Sequence, residues 1–483
     1  MSKLASYKIA TELPASYIEK LFTFIHTQYL LPQKQRFANI HRETVDGIAV
    51  LSYVVLNAQG APLLNVEVKG TEPLEFTLAP IAGTVSAVEL EEAKQDIVIA
   101  VQIFEEHARK STLYFAWREG EKIVPETFEK QEKSFNRFFL ETQILFFVVF
   151  IAFGMIIFLL LSALYPEAFW IAPLILIAVQ FVFVFYSSNF IARTADWYIT
   201  EANPYIYILK YTLPVKADGE VRQLLPRSQL LAIKKEIYDE ILAKRGEIDC
   251  ETAQRVFSKY GVACQPENLS VKKVNVYALV KNVAARFGFP IPKIVVSNTM
   301  IPNAAAAGPS PGRGIVLITT GLLVQLEEDE VISVLGHEFG HLKGRDPLIL
   351  YGLTSTEFLF RFYVLFPLFP FIFSSFLFFI YFWAVMTVIF FIAKFFEARA
   401  DLISAIKMGQ PEVLAGALEK IGFQRLLYER TPSFRLQEWL GLDPHPPIYF
   451  RINRLEKLKS TDKIKRPLLQ SIRDVVSGFK ESL

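Results

Sequence analysis

His337, Glu338 and His341 form an HExxH run inside VISVLGHEFGHLKGRD, a stretch with helical periodicity. On a helix, residues four apart share a face one turn apart, so both imidazoles reach a single ion. The glutamate between them falls beside the water that such an ion holds. Two neutral nitrogen ligands and a carboxylate base are what a zinc-dependent hydrolase requires. The competing account is a chance match on an ordinary amphipathic helix. With six histidines in 483 residues, two of them in this pattern argue against chance.

Two histidines leave zinc short of protein ligands, because a catalytic site takes three plus water. Glu397 and Asp401 stand four apart in FFEARADLISA, so a helix presents both carboxylates on one face. Glu397 is placed to be the third ligand, and Asp401 to hold the outer N–H of a ligand imidazole. The plainer alternative is a solvated acidic face with Arg399 beside it. His445 precedes Pro446 in HPPIYFRINRL and is therefore expected in an extended or turn conformation. Arg451 opens a helical run a few residues later. Beside a metal this histidine and arginine would stabilise an oxyanion; taken singly, each reads as a surface residue. His26, His41 and His107 have no partner at ligand spacing and read as surface or packing residues. Cys250 and Cys264 form no metal or redox motif, argue against a disulfide framework, and suit a reducing compartment.

The elements that must position these groups are unusually apolar. Hydrophobic residues make up 52% of the chain and Phe alone numbers 43, a composition that points to a membrane protein. Lys+Arg 51 against Asp+Glu 49 is nearly balanced, so neither nucleic acid nor another polyanion is implied as a partner. The first thirty residues lack a signal-peptide pattern, so targeting is expected from an internal apolar segment. Thr142–Pro166 and Ala168–Ala192 carry no charge, and each is long enough to span a bilayer. Phe362–Ala393 is a third uncharged run. Taken with Leu348–Arg361 it makes a second hairpin turning near Pro367 and Pro370, with Glu357 and Arg361 paired on its first arm. Lys133, Arg137, Arg193, Lys394 and Arg399 flank these spans. By the positive-inside rule they put the soluble parts and both termini in the cytoplasm, with the inner or plasma membrane as the location.

The expected fold is α+β with a multi-pass helical membrane region. Residues 1–136 read as a soluble α+β domain, with strands over Gly47–Leu56 and Leu63–Lys69 and a capping box from Ser86 to Glu89 opening a helix to about Lys110. Residues 137–195 form the first hairpin and 196–346 the first part of a largely helical metallopeptidase domain. Residues 347–396 form the second hairpin, and 397–483 the second part of the metallopeptidase domain. Lys293–Ser297 and Ile315–Thr319 are expected strands. Between them, Asn303 and Ala304–Ala307 read either as a loop or as a short extended piece at a sheet edge, where a peptide backbone could pair.

In the order FGFPIPKIVV, PNAAAAG, GIVLITTGLL, GHEFGHLKGRD, FFEARAD and HPPIYFRI, residues 276 to 456 resemble the membrane-embedded zinc endopeptidases of the HtpX type. These belong with the CAAX prenyl proteases to one gluzincin family. The resemblance implies one zinc ion per chain, bound by His337, His341 and Glu397, with Glu338 as acid and base. It further implies that Asn303, Ala304, Ala305 and Ala306 bind substrate as an edge strand. His445 and Arg451 would assist the transition state, and Asp401 would support a ligand. The implied partners are polypeptides, chiefly misfolded or membrane proteins, and the lipid bilayer. The rival activities are a prenyl-protein endopeptidase and a non-catalytic membrane scaffold with a structural metal. The chain departs from the family in carrying Ala398, not an aromatic residue, directly after Glu397, and in the whole of residues 1–136.

Overall fold

The computed structural model describes residues 5–57, 59–81, 85–118, 169–213, 225–242, 248–373, 376–458, 461 and 464–483, with isolated positions between 156 and 163. The fold is mixed α+β, with β-sheet toward the N-terminus and a helical C-terminal region that carries two long apolar helices. The chain divides into two compact units: Met1–Phe128 with Ile206–Lys273, and Glu129–Tyr205 with Val274–Leu483. The N-terminal segment therefore shares its unit with a stretch that the sequence alone groups with the metallopeptidase part.

In the first unit, a five-stranded antiparallel sheet runs in the order Ala5–Ile9, Leu74–Pro80, Pro62–Lys69, Ile48–Leu56, Phe37–Val45. Burial falls on every second residue, at Leu64, Val66 and Val68 and again at Leu74, Phe76 and Leu78, as one covered sheet face requires. Helix Ala87–Lys110 opens on the expected capping box. The Ser86 hydroxyl accepts from the Glu89 N–H at 3.2 Å, and Glu89 Oε2 accepts from the Ser86 N–H at 2.9 Å. A second sheet joins Thr112–Arg118, Tyr205–Thr212 and Leu269–Asn275. Phe115 and Leu209 from this sheet share a core with Ile233, Ile237, Val256 and Phe257 of two helices, Arg227–Glu240 and Cys250–Lys259.

The cysteines correct an expectation. Cys250 and Cys264 form a disulfide, because the helix that starts at Cys250 and the segment returning from it bring their Cα atoms to 5.4 Å. The cysteines accordingly lend no support to a reducing compartment.

The second unit carries the chemistry. Its four-stranded sheet is ordered Ala304–Ala307, Ile315–Thr319, Lys293–Ser297, Trp197–Ile199. The two β-branched runs pair in parallel as inner strands, and the alanine run is extended and lies at the edge, antiparallel to Ile315–Thr319. Gly308 ends that edge strand at φ 137°, and a Cβ there would stand 2.7 Å from the Arg313 carbonyl, so only glycine makes this turn.

Asp346–Leu368 and Leu377–Met408 are helical over 23 and 32 residues, long and apolar enough to cross a membrane. The first of them ends at Leu368, and Phe369 leaves the helical conformation between Pro367 and Pro370, where the sequence places the turn. Arg361 Nε pairs with Glu357 Oε1 at 2.9 Å, and the Tyr381 hydroxyl on the following helix donates to the same carboxylate at 2.8 Å. The expected span Thr142–Pro166 lies outside the described residues, isolated positions aside. Its neighbour Ala168–Ala192 corresponds to helix Ala172–Thr194.

Candidate metal centre

The HExxH run occupies helix Glu328–Gly344, which starts with Glu328, Asp329 and Glu330 in its first turn and ends at Arg345 in the left-handed region. The acidic start suits the helix dipole. This helix packs against the charge-bearing C-terminal end of Leu377–Met408, where burial is continuous from Phe396 to Ala405. Small residues set the approach. A Cβ on Gly340 would lie 3.0 Å from the Ala400 Cα, and one on Gly336 would lie 2.7 Å from the Ser404 hydroxyl. Because the two helices come this close, a glutamate on one faces two histidines on the other.

Three donor atoms converge there. His337 Nε2 and His341 Nε2 are 3.1 Å apart. Glu397 Oε2 stands 3.4 Å from His337 Nε2, and Glu397 Oε1 stands 3.3 Å from His341 Nε2. Ligands at tetrahedral angles on zinc, with bonds of about 2.0–2.1 Å, are separated by roughly 3.3 Å. The donor set fits zinc on that spacing.

Proton placement strengthens the fit. His337 Nδ1 lies 2.8 Å from Asp401 Oδ1, and His341 Nδ1 lies 2.8 Å from Asp346 Oδ2. Each imidazole thus has a carboxylate near its outer nitrogen and turns its Nε2 toward the Glu397 carboxylate. Glu397 Oε2 is buried and accepts no hydrogen bond among the described residues. Three electron-rich atoms this close repel unless a proton or a metal cation sits among them. The surrounding charge favours one. Burial alone would lower the His337 imidazole, but Asp401 and Glu397 outweigh it and raise it to about 10. His341 is raised likewise, against burial, by Glu397 and Asp346. The field that makes these nitrogens basic also attracts a divalent ion.

The other residues singled out from sequence take distinct places. Glu338 Oε2 accepts the Ala306 N–H at 2.9 Å, tying the HExxH helix to the edge strand. Asn303 N–H donates to the Thr319 hydroxyl at 2.9 Å and the Asn303 carbonyl accepts from the Thr319 N–H at 3.0 Å. By the alternation of an antiparallel ladder, Ala304 and Ala306 then turn their backbone groups to the free edge. Asp401 is fully enclosed and is held by Arg451. Arg451 sends both donors to Asp401, at 2.8 and 2.7 Å, so in this geometry it acts on the ligand cage. His445 is the more accessible group, and its Nε2 is 3.6 Å from Glu397 Oε2. His26, His41 and His107 stand apart from this cluster.

Sequence reasoning missed several supports. Asp346 contacts His341 and also pairs with Arg399; its only local signal is its place directly after the HExxH helix. Asp443 lies 2.8 Å from His445 Nδ1. Glu429 accepts the N–H groups of Ile448 and Tyr449, both at 2.8 Å, and so caps the helix that carries Arg451. Ala398, the departure noted after Glu397, is fully buried with Trp439 and Val475.

An HExxH helix facing a glutamate from a second helix, above the edge strand of a small sheet, is the site plan of a zinc metallopeptidase. The chain belongs to peptidase family M48, whose profile matches residues 270–459. It is 31% identical over 222 residues to a protease HtpX homolog of Desulforapulum autotrophicum, covering 37% of this chain and 67% of that protein. It is also 31% identical over 202 residues to protease HtpX homolog 2 of Methanosarcina acetivorans, covering 35% and 67%. A protease HtpX homolog of Pyrococcus abyssi is 45% identical over 71 residues, 15% of this chain and a quarter (25%) of the relative's length. Among solved structures, S. mikatae Ste24p aligns with TM-score 0.30 and 18% identity over 37% of this chain and 49% of its own.

Proposed function

We propose that this protein is an integral-membrane zinc endopeptidase that cleaves polypeptides, chiefly misfolded or membrane proteins, at a site close to the bilayer surface. The observation that carries the reading is the convergence of His337, His341 and Glu397 at zinc-ligand spacing, with Glu338 beside them. Zinc held by those three side chains would polarise the scissile carbonyl and acidify water. Everything else falls to the chain. The free edge of Ala304–Ala307, with Asn303 anchoring its start, aligns an extended peptide as one more strand. Glu338 takes the proton of the attacking water and returns a proton to the departing amine. To do so it gives up the Ala306 N–H, which then becomes available to the substrate backbone. His445 donates to the oxyanion. Arg451 contributes through Asp401, which orients His337.

In this reading the first apolar hairpin precedes the metallopeptidase domain, the second interrupts it, and residues 397–483 complete it. Orientation rests on Lys133 and Arg137 before the first hairpin and on the exposed Arg193 after it. Lys394 and Arg399, also counted as inside-facing charges, are buried and engage the Asp443 carbonyl and Asp346, so they serve the fold. The cytoplasmic placement of the site and of both termini is thereby proposed on Lys133, Arg137 and Arg193.

The test is Glu338→Gln in the purified membrane protein. Zinc per chain should match the parent, while hydrolysis of casein or of a membrane substrate falls to the level seen with chelator. Undiminished cleavage by the variant ends the proposal.

A further inference from the structure

The segment between helices Pro432–Leu440 and Ile448–Glu456 carries His445. It has no regular structure of its own, yet its side chain must face the metal centre. Asp443 supplies the fixation. One carboxylate oxygen, Oδ1, accepts from the His445 backbone N–H and from the imidazole Nδ1, each at 2.8 Å. The other oxygen is engaged by Arg425, from helix Pro411–Glu429. Arg425 is itself braced by Glu438 at 3.3 Å. The Asp443 carbonyl is held by the fully buried Lys394, three residues before Glu397 on the long apolar helix. With Nδ1 committed to Asp443, the ring can turn only Nε2 inward, and Nε2 is the atom 3.6 Å from Glu397 Oε2.

We propose that Asp443 is a positioning residue for the reaction: it fixes the rotamer of His445 so that Nε2 meets the substrate carbonyl oxygen. The inference rests on the role given to His445 above. A carboxylate on the outer nitrogen of a catalytic imidazole holds the orientation of the ring without itself touching substrate. The contact with the backbone N–H alone would be an ordinary Asx turn. The second bond, to the ring, is what a mere turn does not need.

The experiment is a double-mutant cycle in the full-length protein, read as kcat and KM on casein, with zinc per chain and melting temperature measured on every variant. Asp443→Ala should lower kcat 10- to 100-fold with KM and zinc content unchanged. Asp443→Asn, whose Oδ1 still accepts from both N–H groups, should recover most of that loss. Asp443→Ser can still close the turn but falls short of the ring, and should behave as Ala does; it also serves if the Ala variant does not fold. In a His445→Ala background, changing Asp443 should alter kcat less than twofold. An equal loss on both backgrounds, or full activity of Asp443→Ser, overturns the proposal. If His445→Ala retains full activity, the role of His445 falls first; if it is impaired while Asp443→Ala and Asp443→Ser are not, only the positioning role falls.

Discussion

Arg451 grips Asp401 through both carboxylate oxygens, Nε to Oδ2 at 2.8 Å and Nη2 to Oδ1 at 2.7 Å, and Asp401 Oδ1 lies 2.8 Å from His337 Nδ1. A helix that comes after the second hairpin in sequence thus governs a ligand that comes before it. Replacing Arg451 by Lys keeps a positive charge but loses the planar fork. Zinc affinity should fall about 10- to 100-fold, the usual consequence of disturbing the partner of a ligand imidazole. Competition against a chelator of known affinity measures this. Unaltered affinity in Arg451→Lys would show that Asp401 needs no clamp.

Glu357, Arg361 and Tyr381 form a polar contact between two helices that otherwise present apolar surface. Leaving one charge unpaired in lipid is expensive, whereas removing both is far cheaper. Glu357→Leu should therefore destabilise the protein in detergent or nanodiscs more than the double variant Glu357→Leu/Arg361→Leu, by on the order of 2–4 kcal/mol, read from thermal or denaturant unfolding. If the double variant is the less stable of the two, the helices do not sit in a lipid-like environment.

Burial pushes the Glu429 carboxyl up to about 7, against the N–H groups of Tyr449 and Ile448 that favour its ionised form. Glu438 adds to the rise and Arg425 opposes it. A carboxyl with a folded value above its unfolded one near 4.5 binds more protons in the folded state. Its contribution is then most favourable below about 4.5 and declines as pH rises toward 7. That gap corresponds to ~3 kcal/mol. Melting temperatures taken from pH 5 to 8 should fall less steeply in Glu429→Gln than in the parent. Parallel slopes would rule out a protonated Glu429 in the folded protein.

Much of the local structure was legible from sequence because its causes are local. The capping box at Ser86 and Glu89, the strands Lys293–Ser297 and Ile315–Thr319, the HExxH helix and the Glu357–Arg361 pair all depend on neighbours within a few residues. The same holds for the turn near Pro367 and Pro370. Periodicity and capping chemistry act over one or two turns, so the order of residues carries them directly.

What surrounds the metal centre was decided by tertiary structure. Composition does not say that Asp346 meets His341 and Arg399, the latter 53 residues away, or that Arg425 holds Asp443. Nor does it say that Ile206–Lys273 joins the N-terminal segment, or that Cys250 finds Cys264. His337, Glu338, His341 and Glu397 announce themselves because metal chemistry restricts residue type and spacing. A supporting carboxylate needs only to arrive within about 3 Å of its partner, and many chain paths bring one there. The path taken depends on helix approach, here the closeness that Gly336 and Gly340 permit, and close approach is a property of the packed chain.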